Sequence, residues 1–335
     1  MRKTNIVIPI GDPAGIGLEV TLKALRSHDI PKDINPILVG CRKNLNEAFI
    51  DFISKKSIKI ANPNDFEIID IPIRKKIESG KPCQASGEAS FQWLKYATEM
   101  VLNKQAKCIV TAPIAKSAWH LAGHKYPGQT ELLAELSNTK NVSMLFTAVS
   151  PKTGWRFNTL LATTHIPLNK VIENLSSELI IYKLNTLRDF CRKFKNNPII
   201  SIAGLNPHAG ENGQLGIEEK EWLIPLINEW RLNNKEIKVQ GPISPDTCWL
   251  SSLKAWGSRK SEDCPDAILA LYHDQGLIAT KLIAFDEAVN TTLGLPFVRT
   301  SPDHGTAFDI AGKGIASPKS MIAAINTAWE LSKHF

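Results

Sequence analysis

Along the chain, short apolar runs of strand length alternate with longer stretches in which apolar residues recur every three or four positions. The runs at 6–10, 37–39, 108–111, 160–164, 199–203 and 267–272 predict strands. The segment 87–103 predicts a helix, because Leu94, Ala97 and Val101 fall on one stripe. A second helix is expected over 217–231, with Glu218 and Glu219 in its first turn, where the helix dipole favours acids. A third is expected over 317–333, with Pro318 at the first helical position. Strands alternating with helices predict an α/β fold with a mixed, mostly parallel sheet. The chain has no internal repeat, low-complexity tract or obvious linker. The expectation is therefore two α/β/α lobes sharing one sheet. The first spans 1–135 plus 296–335, so that it holds both termini, and the second spans 136–295.

Composition narrows the function classes. With 335 residues the chain can bury a substantial core, and no apolar run reaches the roughly 20 residues of a membrane span. The N-terminal residues lead directly into the first apolar run, with no signal-peptide core, so a cytoplasmic enzyme is expected. The six cysteines are scattered without a C-x-x-C pair, which argues against a disulfide framework or a structural zinc knot and for reduced thiols, with Cys108 in a core strand. A net charge of +7 raises the question of nucleic acid. The densest basic patches, Arg74-Lys75-Lys76 and Arg192-Lys193 with Lys195, lack interleaved aromatics and read as solvated faces. Neither a nucleic acid nor a membrane is expected as partner.

Polar, turn-forming residues recur just after the strands, where open α/β sheets bind ligands. Three histidines share that setting: His165 in Ala-Thr-Thr-His-Ile-Pro, His208 in Gly-Leu-Asn-Pro-His-Ala-Gly-Glu and His273 in Tyr-His-Asp-Gln-Gly. Taken singly, each could be an ordinary turn histidine. Together they could form a catalytic metal site with three protein ligands and an open position. The loop Gly11-Asp12-Pro13-Ala14-Gly15-Ile16-Gly17 could approach an anion or serve only as a tight turn. Its glycine order is neither a dinucleotide fingerprint nor a P-loop. Lys281, Asn290 and Arg299 offer cationic and amide donors for phosphate or carboxylate. The Gly-punctuated stretch 303–314, with His304, Gly305, Thr306 and Asp309, is a candidate nucleotide cradle. Lys116 and Asp246 could each serve as a base, although Asp after Pro is also ordinary turn chemistry. Gln129 and Thr130 could hydrogen-bond a substrate, or Thr130 could cap a helix beginning near Glu131.

Read in order, Gly-Asp-Pro-Ala-Gly-Ile-Gly, Thr-Ala-Pro-Ile-Ala-Lys, Gly-Gln-Thr-Glu, Ala-Thr-Thr-His-Ile-Pro, Asn-Pro-His-Ala-Gly-Glu, Gly-Pro-Ile-Ser-Pro-Asp-Thr, Tyr-His-Asp-Gln-Gly and Asn-Thr-Thr-Leu-Gly-Leu-Pro cover nearly the whole chain. This series resembles the 4-hydroxythreonine-4-phosphate dehydrogenase family of vitamin B6 synthesis, and stretch 304–314 is similar to the adenosine loop of the isopropylmalate and isocitrate dehydrogenases. The resemblance implies an isopropylmalate-dehydrogenase-like fold, NAD or NADP as coenzyme, and oxidation of a small phosphorylated hydroxy acid. It implies His165, His208 and His273 as ligands of a divalent metal (zinc, magnesium or cobalt) at a site shared by the two subunits of a homodimer. It implies Thr130, Lys281, Asn290 and Arg299 as substrate-binding residues. The family usually has His where this chain has Gln129, and Gln cannot carry a positive charge. Relatives of the family act on sugar-acid phosphates or dihydrodiols. A metal-dependent aldolase or hydrolase, and a phosphate-sensing module without catalysis, are the rival classes.

Overall fold

The computed structural model describes residues 3–55, 58–258 and 263–334. Among the described residues, eleven strands follow in chain order. They are β1 (Thr4–Pro9), β2 (Ile34–Gly40), β3 (Glu67–Asp70), β4 (Cys108–Val110), β5 (Ser143–Val149), β6 (Arg156–Leu161), β7 (Ile199–Ala203), β8 (Lys238–Ile243), β9 (Ala267–Ala270), β10 (Val289–Leu293) and β11 (Val298–Pro302). The chain divides into two compact units, Met1–Val142 with Val289–Phe335, and Ser143–Ala288.

In the first unit the strand order is β3-β2-β1-β4-β11-β10. All neighbours are parallel except β10 and β11. Ile6, Val7, Ile8, Cys108, Ile109 and Val110 are all fully buried, as expected of parallel strands covered on both faces. That burial pushes the Cys108 thiol up to about 12, so this cysteine is an unreactive packing group. In the second unit the order is β5-β6-β9-β7-β8, again parallel except for the first pair. The fold is α/β with mixed, mostly parallel strand pairing.

The six apolar runs each overlap a strand, β1, β2, β4, β6, β7 and β9, although the run 160–164 lies mostly past the end of β6. β11 escapes the apolar pattern because it reads Val-Arg-Thr-Ser-Pro, yet all five of its residues are buried. Helix boundaries shift for local reasons. The helix expected over 87–103 runs Gln84–Leu102, started by the Ser86 hydroxyl accepting from the Cys83 N–H at 3.0 Å. The one expected over 217–231 opens with a wider turn, Glu219–Leu223, before regular helix Ile224–Asn233. Pro225 has no N–H to return to the carbonyl four residues back, which disfavours regular α-helix there. The last helix is Lys319–Leu331, with Pro318 at its N-cap and not in its first turn. Thr130 lies inside the helix Gln129–Leu136, whose N-cap is Gly128, so it does not act as the cap.

Candidate functional site

In the second unit, β6 and β9 are parallel neighbours with Leu161 opposite Ala270. The pairing continues past the strands: Ala162 N–H donates to the Ala270 carbonyl at 2.8 Å, and the Thr163 hydroxyl to the Leu271 carbonyl at 2.8 Å. His165 and His273 therefore leave the same edge of the sheet together, and their ring centres lie 5.4 Å apart. His273 opens the helix His273–Ala284. Its Nδ1 donates to the Asp274 carboxylate at 2.7 Å. This fixes the tautomer that leaves the lone pair on Nε2, the arrangement a metal-binding histidine usually has. Gly276 permits the helix to sit this low on the sheet, since a Cβ there would meet Leu161 Cδ2 at 2.6 Å.

His208 reaches the same edge from β7, the other neighbour of β9. Its loop is pinned by Glu219, which is 1% exposed and whose carboxylate accepts the backbone N–H groups of Leu205 and Asn206 at 2.8 and 2.7 Å. So Glu219, expected only to complement the helix dipole, holds a loop. Gln275 ties the two strand ends together: its Oε1 accepts from Leu271 N–H and its Nε2 donates to the Gly204 carbonyl, each at 2.7 Å. The backbone from His208 to Asn212 is left-handed at every residue, and His165 has a φ of 48°. Left-handed non-glycine residues each cost about 1–3 kcal/mol and concentrate at functional positions.

Asp246 lines the same cavity of about 730 Å³ as His165 and His273, with Thr163, Trp249, Tyr272, Ile278 and Leu282. The Ser244 hydroxyl, and to a smaller degree the nearby His208, hold its carboxyl below the ordinary aspartate range. A carboxylate so stabilised is a weak proton acceptor at neutral pH and a good hydrogen-bond acceptor. Among the described residues no cluster of three His, Cys, Asp or Glu side chains is close enough to hold an ion. The imidazole pair with its carboxylate-oriented ring is nonetheless a donor set suited to a divalent metal.

The first unit assembles a second group. Arg299 and Thr292 face each other across β10 and β11, and Arg299 pairs with Ile109 of β4, so Thr111 falls on the same face. Arg299 is 3% exposed, donating from Nη1 to Thr292 Oγ1 at 3.0 Å and from Nη2 to Thr111 Oγ1 at 2.8 Å. Burial pushes its guanidinium down to about 10, still charged at neutral pH. Asn290 precedes Thr292 by two on the same face, and its Oδ1 is buried without a partner among the described residues. Lys116 opens the helix Lys116–Leu121, and a Cβ on Gly128 would lie 4.0 Å from its Nζ. Lys116 thus stands beside Gly128, the residue that precedes Gln129. Thr111 and Thr292 went unassigned in the sequence, because only strand pairing reveals that they hold Arg299. Lys281 lies in the second unit, on the helix His273–Ala284, its Nζ over the Phe285 ring at 5.7 Å.

The loop Gly11–Gly17 is a structural buttress. Asp12 is buried, its Oδ1 accepts from Ala14 N–H at 2.9 Å, and burial raises its carboxyl above the ordinary range. Ile16 N–H donates to the Thr306 carbonyl at 3.0 Å, so the loop supports stretch 303–314. In that stretch His304 Nδ1 donates to the Gly305 carbonyl at 3.1 Å, and its Nε2 is buried with no partner among the described residues. Nothing would meet a Cβ on Gly305, so the backbone there is open to a ligand. Among the described residues no helix is long and apolar enough to cross a membrane.

Comparison with known proteins adds to this geometry. A 4-hydroxythreonine-4-phosphate dehydrogenase of Synechococcus sp. (strain RCC307) is 54% identical over 329 residues, covering 98% of this chain and 99% of that one. A D-threonate 4-phosphate dehydrogenase of Salmonella typhimurium is 37% identical over 345 residues, covering 99% and 100%. The crystal structure of 4-hydroxythreonine-4-phosphate dehydrogenase from Klebsiella pneumoniae superposes with a TM-score of 0.81 at 35% identity, covering 99% of this chain and 98% of that one. The model of the family "Pyridoxal phosphate biosynthetic protein PdxA" matches residues 32–328. With this match across most of its length and the relatives' identity, the chain belongs to the PdxA family of dehydrogenases.

Proposed function

We propose that the protein oxidises 4-phosphooxy-L-threonine with NAD or NADP to 2-amino-3-oxo-4-phosphooxybutanoate, which loses CO2 to give 3-amino-2-oxopropyl phosphate. The observation that carries this reading is the placement of His165 and His273 at adjacent parallel strand ends, in a cavity with Asp246. His165, His208 and His273 would hold one divalent cation (zinc, magnesium or cobalt), with two copies of the chain sharing the site. When bound, that cation supplies a Lewis acid for the substrate hydroxyl, and the nicotinamide supplies a hydride acceptor.

The chain's own residues do the rest. Arg299, Asn290, Lys281, Gln129 and Thr130 bind the phosphate and the amino-acid end, using remote binding energy to orient the reacting carbon. Asp246, held as a carboxylate, accepts a hydrogen bond from the hydroxyl or from an imidazole and fixes its direction. Lys116, beside Gly128, adds positive charge at the phosphate end and is a candidate for moving the proton. His304, Gly305, Thr306 and Asp309 cradle the adenosine half of the coenzyme, with the buried His304 Nε2 available to accept a hydrogen bond. The reaction is assigned to the cytoplasm, which supplies nicotinamide coenzymes and keeps thiols such as the six free cysteines reduced.

A homodimer is supported by an apolar stripe. Ile278 and Leu282 on the helix His273–Ala284, and Phe285 just past its end, are 61%, 81% and 68% exposed, an arrangement that marks an association surface.

The likeness to a D-threonate 4-phosphate dehydrogenase favours one alternative, oxidation of a sugar-acid phosphate such as threonate 4-phosphate. A substrate panel with NAD or NADP and a defined metal decides between them. NADH or NADPH should accumulate fastest with 4-phosphooxy-L-threonine, and treatment with a chelator should abolish it. A verified 4-phosphooxy-L-threonine that yields none, while threonate 4-phosphate does, would transfer the assignment. Oxidation of neither substrate would leave a metal-dependent aldolase or a phosphate sensor.

A further inference from the structure

Gln129 is the first residue of the helix Gln129–Leu136, and one end of its amide is fixed. Nε2 donates to the Ala112 carbonyl oxygen at 3.1 Å. Turning the amide over would set its oxygen against that carbonyl oxygen, so nitrogen and oxygen are not interchangeable here. Oε1 therefore faces the other way as an acceptor, and it is buried with no partner among the described residues. A buried acceptor in that state calls for a ligand that brings a hydrogen.

The surroundings call for an anion as well. Ala112 follows Thr111, whose hydroxyl oxygen accepts from Arg299 Nε and Nη2 at 3.2 and 2.8 Å. These contacts and the one to Thr292 occupy three of the five guanidinium N–H groups, and among the described residues no carboxylate forms an ion pair with Arg299. Glu131 is near enough to act on Arg299 through its charge. A Cβ on Gly128 would lie 3.2 Å from Glu131 Oε2 and 4.0 Å from Lys116 Nζ. Asp12, joined to the adjacent Pro113 carbonyl through its N–H, has its carboxylate engaged by Ala14 and Ser86. The group thus presents two cations, one facing carboxylate and one acceptor that lacks a hydrogen.

We infer that this group selects a phosphate monoester in its singly protonated form, whose P–O–H donates to Gln129 Oε1 while its other oxygens accept from Arg299. The inference rests on the reading that the first unit holds the substrate phosphate. The dianion has no hydrogen to give, sets lone pair against lone pair at Gln129, and adds a second negative charge beside Glu131. Sulfate, which carries no proton at neutral pH, meets the same two penalties.

Calorimetric titration of the intact protein with methyl phosphate and with sulfate, from pH 5.5 to pH 8, tests this. An alkyl phosphate loses its second proton near pH 6, so its affinity should fall about 50-fold between pH 6 and pH 8. Sulfate should bind at least about tenfold more weakly than methyl phosphate at pH 6 and show no such fall. Gln129→His, which supplies a donor in place of the acceptor, should flatten the phosphate profile and admit sulfate. Equal affinities for the two anions, or a phosphate affinity independent of pH in the unaltered chain, overturns the selection. Because this readout is binding, turnover of 4-phosphooxy-L-threonine without phosphate selection would refute the inference and leave the proposed reaction standing. Selection without turnover would do the reverse.

Discussion

At the scale of single residues, the second unit carries a buried charge outside its candidate site. Lys183, on the helix Ser177–Cys191, is 6% exposed, and its Nζ donates to Ser143 Oγ at 2.9 Å. Burial pushes its ammonium down to about 8. Against an ordinary lysine that shift is a cost of about 3 kcal/mol to the folded state at neutral pH. The sign follows from proton counting. Below about 8 both states hold the proton and the cost is full. Between about 8 and the ordinary lysine value the unfolded chain holds a proton the folded one has released, so stability rises with pH. Lys183→Met should raise stability at pH 7 by about 1–3 kcal/mol and remove this rise, as read by urea denaturation at pH 7 and pH 9.5. An unchanged pH dependence would show that Lys183 is not the titrating group.

At the scale of elements, what the sequence makes legible depends on where side chains point. Continuous apolar runs reveal β1, β4, β7 and β9 because parallel strands are covered on both faces. β11 and β10 stay hidden, since Arg299, Thr291 and Thr292 are buried among polar partners that only the fold brings together. Each candidate histidine is legible as a residue following a strand, but the adjacency of β6 to β9 is not, because it rests on a long-range pairing. The supports are less legible still. Gln275 stands in a motif without declaring that it joins Leu271 to Gly204, and Glu219 resembles any acid in a first helical turn. Glu219 in fact restrains the left-handed loop of His208 by accepting two backbone N–H groups and the Asn206 amide. Glu219→Leu removes the acceptor of the Leu205 and Asn206 backbone N–H groups while the Asn206 amide keeps Glu218, which should cost about 2–4 kcal/mol. The urea midpoint should fall, and metal affinity should fall further than for a distant variant of equal stability. A loss of stability with metal affinity intact would limit Glu219 to a structural part.

At the scale of the whole molecule, each unit carries its own candidate group, the buried Arg299 with its threonines in the first and the imidazole pair in the second. The alternating α/β pattern makes the fold class readable. The unit boundaries at Val142 and Ala288 instead follow from which strands share contacts, a property of the folded chain. Ile278 and Leu282 of the exposed stripe lie on the helix that begins with His273, with Phe285 just past its end, so the proposed association through this stripe would bring a second copy close to the proposed metal site. Two imidazoles in one place make an incomplete metal site, and a third ligand supplied on association would complete it.

The most direct test of a three-imidazole site is calorimetric titration of zinc into the metal-free protein and its His165→Ala, His208→Ala and His273→Ala variants. One tight site per chain is expected, with each substitution weakening it at least about 100-fold while the fold persists. Zinc binding that survives any one of the three substitutions unchanged would contradict a site built from those three imidazoles.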